Sequence, residues 1–204
     1  MLYNLSISHG SRFNRLGDLA DCETAIEHGI RAAMLTPETY TDLPANLGSL
    51  SSLYENRFRR LDIIQDIDTA IEYAARAVRL APEGHADLPT WLGYLGTAHH
   101  SRFARLGELH DIDRAITHKS HAVMLTSDDH SDLSTRLSNL GTSYIDRFDR
   151  LSEIEDLNKA IEYGARAVAL VPDRHADLAI WLSNLSNSYS SRFKNSAQLD
   201  DLHK

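Results

Sequence analysis

Three histidines, His85, His130 and His175, recur at a constant step of 45 residues, and the chain holds eleven histidines in 204 residues. Such a set invites a metal-centre reading, but the spacing opposes it. Equivalent atoms in successive repeats are separated by stacked helix layers, on the order of 10 Å each, whereas zinc takes its ligands at about 2 Å. These histidines read instead as turn residues that support a neighbouring aspartate. His118 and His121 form a helical i, i+3 pair that could touch one ion, yet no third ligand is evident and the HExxH pattern is missing. The single cysteine, Cys22, has no Gly-rich or oxyanion-type context, and neither GxSxG nor a phosphate-cradling glycine loop occurs. The expectation is no catalysis, no metal and no cofactor.

The most regular charged feature is a pair of arginine columns, Arg12, Arg57, Arg102, Arg147 and Arg192, then Arg15, Arg60, Arg105 and Arg150, facing an acidic column of Asp21, Asp66, Asp111 and Asp156. One reading is an anion-binding ladder. The other is internal: guanidinium groups at the end of one helix bond the aspartate or the terminal carbonyls at the neighbouring helix junction. Acids recurring at the same step favour the internal reading.

Lys+Arg 21 against Asp+Glu 29 gives a net charge of −8. That balance repels phosphate backbones and anionic lipid, so neither nucleic acid nor a membrane surface is an expected partner. One cysteine allows no internal disulfide, and no leader or long apolar run is present, so the reading is a soluble intracellular, cytoplasmic chain.

Positioning these columns requires repeated elements. Arg-Phe occurs at Arg12-Phe13, Arg57-Phe58, Arg102-Phe103, Arg147-Phe148 and Arg192-Phe193, and residues 57–101 match 147–191 at 24 of 45 positions. Within one unit Leu43, Leu47, Leu50, Tyr54, Phe58 and Leu61 trace one helical face, and Ile67, Ala70, Ile71, Ala74 and Val78 trace a second. The Asp of each Asp-Leu pair (Asp42, Asp87, Asp132, Asp177) suits the N-cap of the first helix, A, with Pro44 and Pro89 in its first turn. Pro37, Pro82 and Pro172 block continuation of the second, B, whose N-cap or first turn suits Asp21, Asp66, Asp111 and Asp156. The pattern predicts an all-α, α-solenoid fold of antiparallel helix pairs, with nine helices and a 45-residue repeat. Its A helices lie at about 1–16, 43–60, 88–105, 133–150 and 178–194, and its B helices at about 20–35, 65–80, 110–125 and 155–170. Residues 1–204 form one array without an evident domain boundary. The array opens mid-unit and residues 195–204 look like the start of another B helix, so the chain reads as a piece of a longer protein.

Asn139-Leu140-Gly141 with Tyr144, then Ala160, Ala167 and Pro172, resembles the tetratricopeptide (TPR) repeat: Leu-Gly, a tyrosine three later, two small alanines in helix B and a closing proline. The ordinary repeat is about 34 residues, and the length of 45 here resembles the long variants of kinesin light chains and of fungal proteins carrying a caspase-like (CHAT) domain. Ser51 and Ser186 replace the glycine, His9 and His99 the tyrosine, and Ser127 the proline.

The resemblance implies that A helices line a concave wall open to an extended peptide or helix. Asn4, Asn139 and Asn184 occupy the position before the repeated leucine, matched by Ser49 and Tyr94. In the kinesin-light-chain type such asparagines hold a peptide backbone through both amide groups. Thr97, His100, Ser101, Thr142, Asp146, Asn187 and Ser190 share that face by helical phase. The competing reading has the asparagines bonding a neighbouring helix. The lysines and arginine with which chaperone-tail clamps grip a terminal carboxylate are replaced by Gly48, Gly93, Ser138 and Ser183, with Ala45, Thr90 and Thr135 a turn earlier. A neutral or basic protein or peptide is therefore the expected partner. Two rivals stand beside this scaffold: end-to-end stacking into a homo-oligomer, and a regulatory arm of a larger caspase-like protein whose catalytic residues lie elsewhere.

Overall fold

The computed structural model describes residues 1–82 and 84–196, and among them there are only helices, turns and loops. The helices are α1 (Leu2–Leu16), α2 (Leu19–Leu35), α3 (Leu43–Leu61), α4 (Ile64–Leu80), α5 (Leu88–Leu106), α6 (Leu109–Met124), α7 (Leu133–Leu151), α8 (Ile154–Ala169) and α9 (Leu178–Ser196). Odd-numbered helices are the A helices and even-numbered ones the B helices. All nine sequence-predicted segments are found, with ends displaced by a residue or two. The proposed further B helix falls largely outside the described residues.

The helices gather into two compact units, Met1–Asp111 and Ile112–Lys204. In the first, each helix from α1 to α5 packs on the next, and the A helices of successive repeats also touch, α1 on α3 and α3 on α5. The second unit repeats this with α7 on α8, α8 on α9 and α7 on α9. The core is what the 3.6-residue period selects. Leu43, Leu47, Leu50, Ile67, Ala70 and Ala74 are fully buried, as are Leu137, Leu140 and Ala167 in the second unit. Each buried leucine contributes about 1.5–3 kcal/mol. The alanines let helix backbones approach. Leu61, predicted on the same apolar stripe, is 42% exposed, whereas Ala77 on α4, absent from the predicted second face, is fully buried.

The A helices end in a common device. Gly17, Asp62, Gly107 and Ser152 adopt left-handed φ values of 76°, 55°, 75° and 55°. Their N–H groups donate to the carbonyls of Phe13, Phe58, Phe103 and Phe148, each at 2.7 Å. The phenylalanine of these four Arg-Phe pairs thus packs its ring in the core while its carbonyl closes the helix.

The entrance to the A helices differs from expectation. Asp42, Asp87 and Asp132 do stand at the N-cap position, but with helical backbone angles and no side-chain cap bond. At three entrances the histidine two residues earlier binds the aspartate's own backbone: Asp87, Asp132 and Asp177 donate their N–H to Nδ1 of His85, His130 and His175 at 3.1, 3.1 and 3.2 Å. Tilted ring contacts of His85 with Trp91 and of His175 with Trp181, with centroids 4.8 and 5.0 Å apart, hold two of these imidazoles. The in-register histidines are turn supports, as their spacing suggested.

Candidate functional site

The arginine and aspartate columns meet. Nε and Nη2 of Arg57 bind both carboxylate oxygens of Asp66 at 2.8 and 2.6 Å, and Arg102 holds Asp111 in the same way at 2.9 and 2.7 Å. Arg147 does so with Asp156 at 3.0 and 2.6 Å. Each aspartate lies in the first turn of a B helix, where the helix dipole adds to the attraction. A third guanidinium edge reaches back to the B helix of the preceding repeat: Arg102 Nη1 to Asp68 and Arg147 Nη1 to Asp113, both at 2.8 Å, and Arg192 Nη1 to Asn158 at 2.9 Å. These guanidinium groups are engaged within the protein, so the column clamps repeats together. The second arginine column follows the helix-junction alternative of the sequence reading, because Arg105 and Arg60 do not pair with the acidic column. They reach the residue that ends the preceding A helix, Asp62 at 2.8 Å and the Gly17 carbonyl at 3.5 Å.

At the tyrosine position of the repeat, Tyr54 stacks on Tyr73 and Tyr144 on Tyr163, with centroids 5.7 and 5.8 Å apart. Arg57 and Arg147 lie over Tyr54 and Tyr144. Where histidine replaces the tyrosine, it bonds the aspartate: His9 Nδ1 to Asp21 at 2.9 Å and His99 Nδ1 to the buried Asp111 at 2.8 Å. Burial pushes the Asp111 carboxyl up. The hydrogen bonds from Arg102 and His99 and the charges of Arg102 and His110 outweigh that cost and hold it below the usual carboxylate range.

The sequence-predicted binding residues divide between the two units. In the first, Asn4 is exposed on α1, and Tyr94, Thr97 and His100 are half-buried along α5. Tyr94 packs against a cluster of Leu43, Leu47, Ala77 and Trp91. Ser101, assigned to the same wall, donates to Glu55 of α3 at 2.8 Å and so ties two A helices together.

In the second unit Asn139 and Asn187 are exposed, and Thr142, Asp146 and Asn184 are half-buried. Thr142 Oγ1 donates to the Ser138 carbonyl one turn back, at 3.1 Å. The side-chain amides of Asn139 and Asn184 make no hydrogen bond to any described residue, so each keeps its donor and acceptor available. Their carbonyls are used within the unit: Asn139 O accepts from Ser143 at 3.2 Å and from Lys119 at 3.3 Å, and Asn184 O accepts from Ser188 at 2.9 Å. Lys119, which the sequence reading passed over, is 5% exposed and donates to Ser143 at 2.7 Å. Thr142 and Asn184 also line a crevice of about 10 Å³ between α7, α8 and α9, which is tightly packed.

A larger hollow, about 390 Å³, opens in the first unit between α1, the end of α2 and the start of α3. Asn4 lines it, together with Tyr3, Thr36, Tyr40, Asp42 and Asn46. Sequence reasoning found only Asn4 there. The signal for the rest lay in the column 46, 91, 136, 181, which reads Asn, Trp, Arg, Trp. Cys22 is fully buried, with its thiol pushed up to about 11 chiefly by burial. Among the described residues no group of three or more His, Cys, Asp or Glu side chains could hold a metal ion, and no helix is long and apolar enough to cross a membrane.

No protein-family model and no curated protein matches the chain. Solved structures do. A kinesin-light-chain-type protein of Podosopora anserina with nearly identical TPR-like repeats superposes with a TM-score of 0.69 at 13% identity, over 100% of this chain and 93% of that one. BtubC (BKLC) from P. vanneervenii superposes with a TM-score of 0.65 at 20% identity, over 94% of this chain and 74% of that one. The fold is that of TPR-like helical repeats.

Proposed function

We propose, taking this TPR-like fold as the premise, that the protein is a non-catalytic interaction scaffold whose A helices bind a peptide segment of a protein partner. The observation that carries the reading is the pair Asn139 and Asn184, whose side-chain amides stand one repeat apart in the same column without a hydrogen-bond partner among the described residues. An amide can donate to a peptide carbonyl and accept from a peptide N–H at once, so a file of them suits an extended backbone. In each unit A helices of successive repeats touch, which supports reading their exposed residues as one shared face. Asn4, Tyr94, Thr97 and His100 would serve the first unit, and Thr142, Asp146 and Asn187 would complete the second.

The net charge of −8 and the neutral residues at the clamp positions, Gly48, Gly93, Ser138 and Ser183, favour a neutral or basic segment over an acidic tail. Peptides selected from a random display library provide the test. Asn139→Ala with Asn184→Ala should weaken a selected peptide by about tenfold, the scale of one or two lost hydrogen bonds, while Glu162→Ala on α8 should leave it unchanged. Equal affinity for wild type and the asparagine variant would reject the reading.

A further inference from the structure

The hollow in the first unit exists because one junction between repeats lacks a plug that the sequence supplies elsewhere. Trp91 fills the corresponding place between α3 and α5. Its Cδ1 would lie 2.6 Å from a Cβ added at Gly48, so that glycine makes room for the indole. Trp181, in ring contact with His175, stands in the same column within the second unit. At the hollow, Asn46 takes the place of tryptophan, Tyr40 that of the histidine and Tyr3 that of Gly48. The shorter Asn46 side chain leaves about 390 Å³ open.

Two groups at this hollow want a donor. Asn46 is 4% exposed, and its Nδ2 donates to the Gly29 carbonyl at 3.0 Å, while its buried Oδ1 has no hydrogen-bond partner. An unpaired buried carbonyl of this kind is destabilising until a donor reaches it. Beside it, the Asp42 carboxylate lines the same hollow without a cap bond or an ion pair to any described residue. The remaining member of the column, at position 136, shows what chemistry suits both. Arg136 stands at the equivalent position in the second unit and places Nη2 3.4 Å from Asp132, the counterpart of Asp42.

We propose that this hollow is a receptor for a guanidinium group, the arginine side chain of a bound peptide, supplied from outside where the chain itself supplies Arg136 elsewhere. The guanidinium donates to Asn46 Oδ1 and to the Asp42 carboxylate, and the rings of Tyr3 and Tyr40, which line the hollow, offer faces to a planar cation. That the arginine belongs to a peptide rests on the reading above, whereas the guanidinium site itself does not.

The test follows backbone and side-chain amide resonances of Asn4, Tyr40 and Asn46 during titration with N-acetyl-arginine amide, then with its neutral counterpart N-acetyl-citrulline amide. The arginine probe should shift these resonances and bind at least about tenfold more tightly than citrulline, the effect of a charge-assisted hydrogen bond. Asn46→Arg, imitating position 136, should abolish binding. Should that variant fail to fold, Asn46→Trp, imitating position 91, fills the same space. Absence of shifts in the wild type, equal binding of citrulline, or unchanged binding by a folded filled variant would overturn the proposal. Asn139→Ala with Asn184→Ala does not touch this site, so failure of the peptide reading leaves the arginine titration unaffected.

Discussion

Arg102 grips Asp111 through two hydrogen bonds of 2.9 and 2.7 Å while its third edge holds Asp68 of the preceding repeat at 2.8 Å. One guanidinium thus joins an A helix to two B helices. The Asp111 side chain is 1% exposed and Arg102 20%, whereas in the first repeat Arg12 is 54% exposed and contacts Asp21 at 3.2 Å.

Removing Arg102 strands a buried carboxylate, so Arg102→Ala should cost about 3 kcal/mol of unfolding free energy. Arg12→Ala, where the arginine is half exposed and His9 still bonds the buried Asp21, should cost less, about 1 kcal/mol. Urea unfolding of both variants measures the difference. Similar small losses would mean that the clamp does not hold the repeats together.

The depressed Asp111 carboxyl links stability to pH. Because its folded-state value lies below the unfolded one, its contribution is present above the ordinary carboxylate range and is lost as pH falls through the folded value. Asp111→Asn should therefore be less stable than wild type near neutrality and show a flatter decline on acidification. Parallel stability–pH curves for the two proteins would show that Asp111 carries no such linkage.

The left-handed residue that ends each A helix is glycine twice, but Asp62 and Ser152 hold φ 55° with a Cβ. Strain of this kind costs about 1 kcal/mol or more, offset in part by the greater freedom of glycine in the unfolded chain. Ser152→Gly should raise the melting temperature by a degree or more, and Gly107→Ala should lower it. The opposite ordering would show that the cap geometry is not limiting.

Cys22 is fully buried and its thiol is pushed up to about 11, so little thiolate forms near neutral pH in the folded state. Iodoacetamide at pH 8 should modify it slowly in the native chain and rapidly in urea, by a ratio of at least about a hundredfold, the factor expected when labelling waits on opening. Rapid native labelling would place Cys22 in a region that opens readily.

The sequence made the helices legible because repetition supplied several copies of each spacing. Leu47, Leu92 and Leu137 keep one column and are all buried. The Arg–Asp pairing was legible for the same reason, since both charges recur at the same step. What the period could not show was which side chain a neighbouring helix covers. Leu61 lies on the apolar stripe yet reaches past the packed part of α3, and Arg105 finds Asp62 because helix ends, rather than columns, are adjacent in space. The hollow was hidden for a related reason. A repeat column signals through sameness, whereas Asn46 matters through being unlike Trp91 and Trp181, a difference that acquires meaning because α1 and α3 pack together.

The most direct test of the scaffold reading follows the side-chain amide resonances of Asn139 and Asn184 while a selected neutral or basic peptide is titrated into the protein. The account predicts that these two amides shift and saturate together with the bound fraction, with α8 residues such as Glu162 undisturbed. A peptide that binds while both amides stay in place, or whose shifts fall on the B helices, would contradict it.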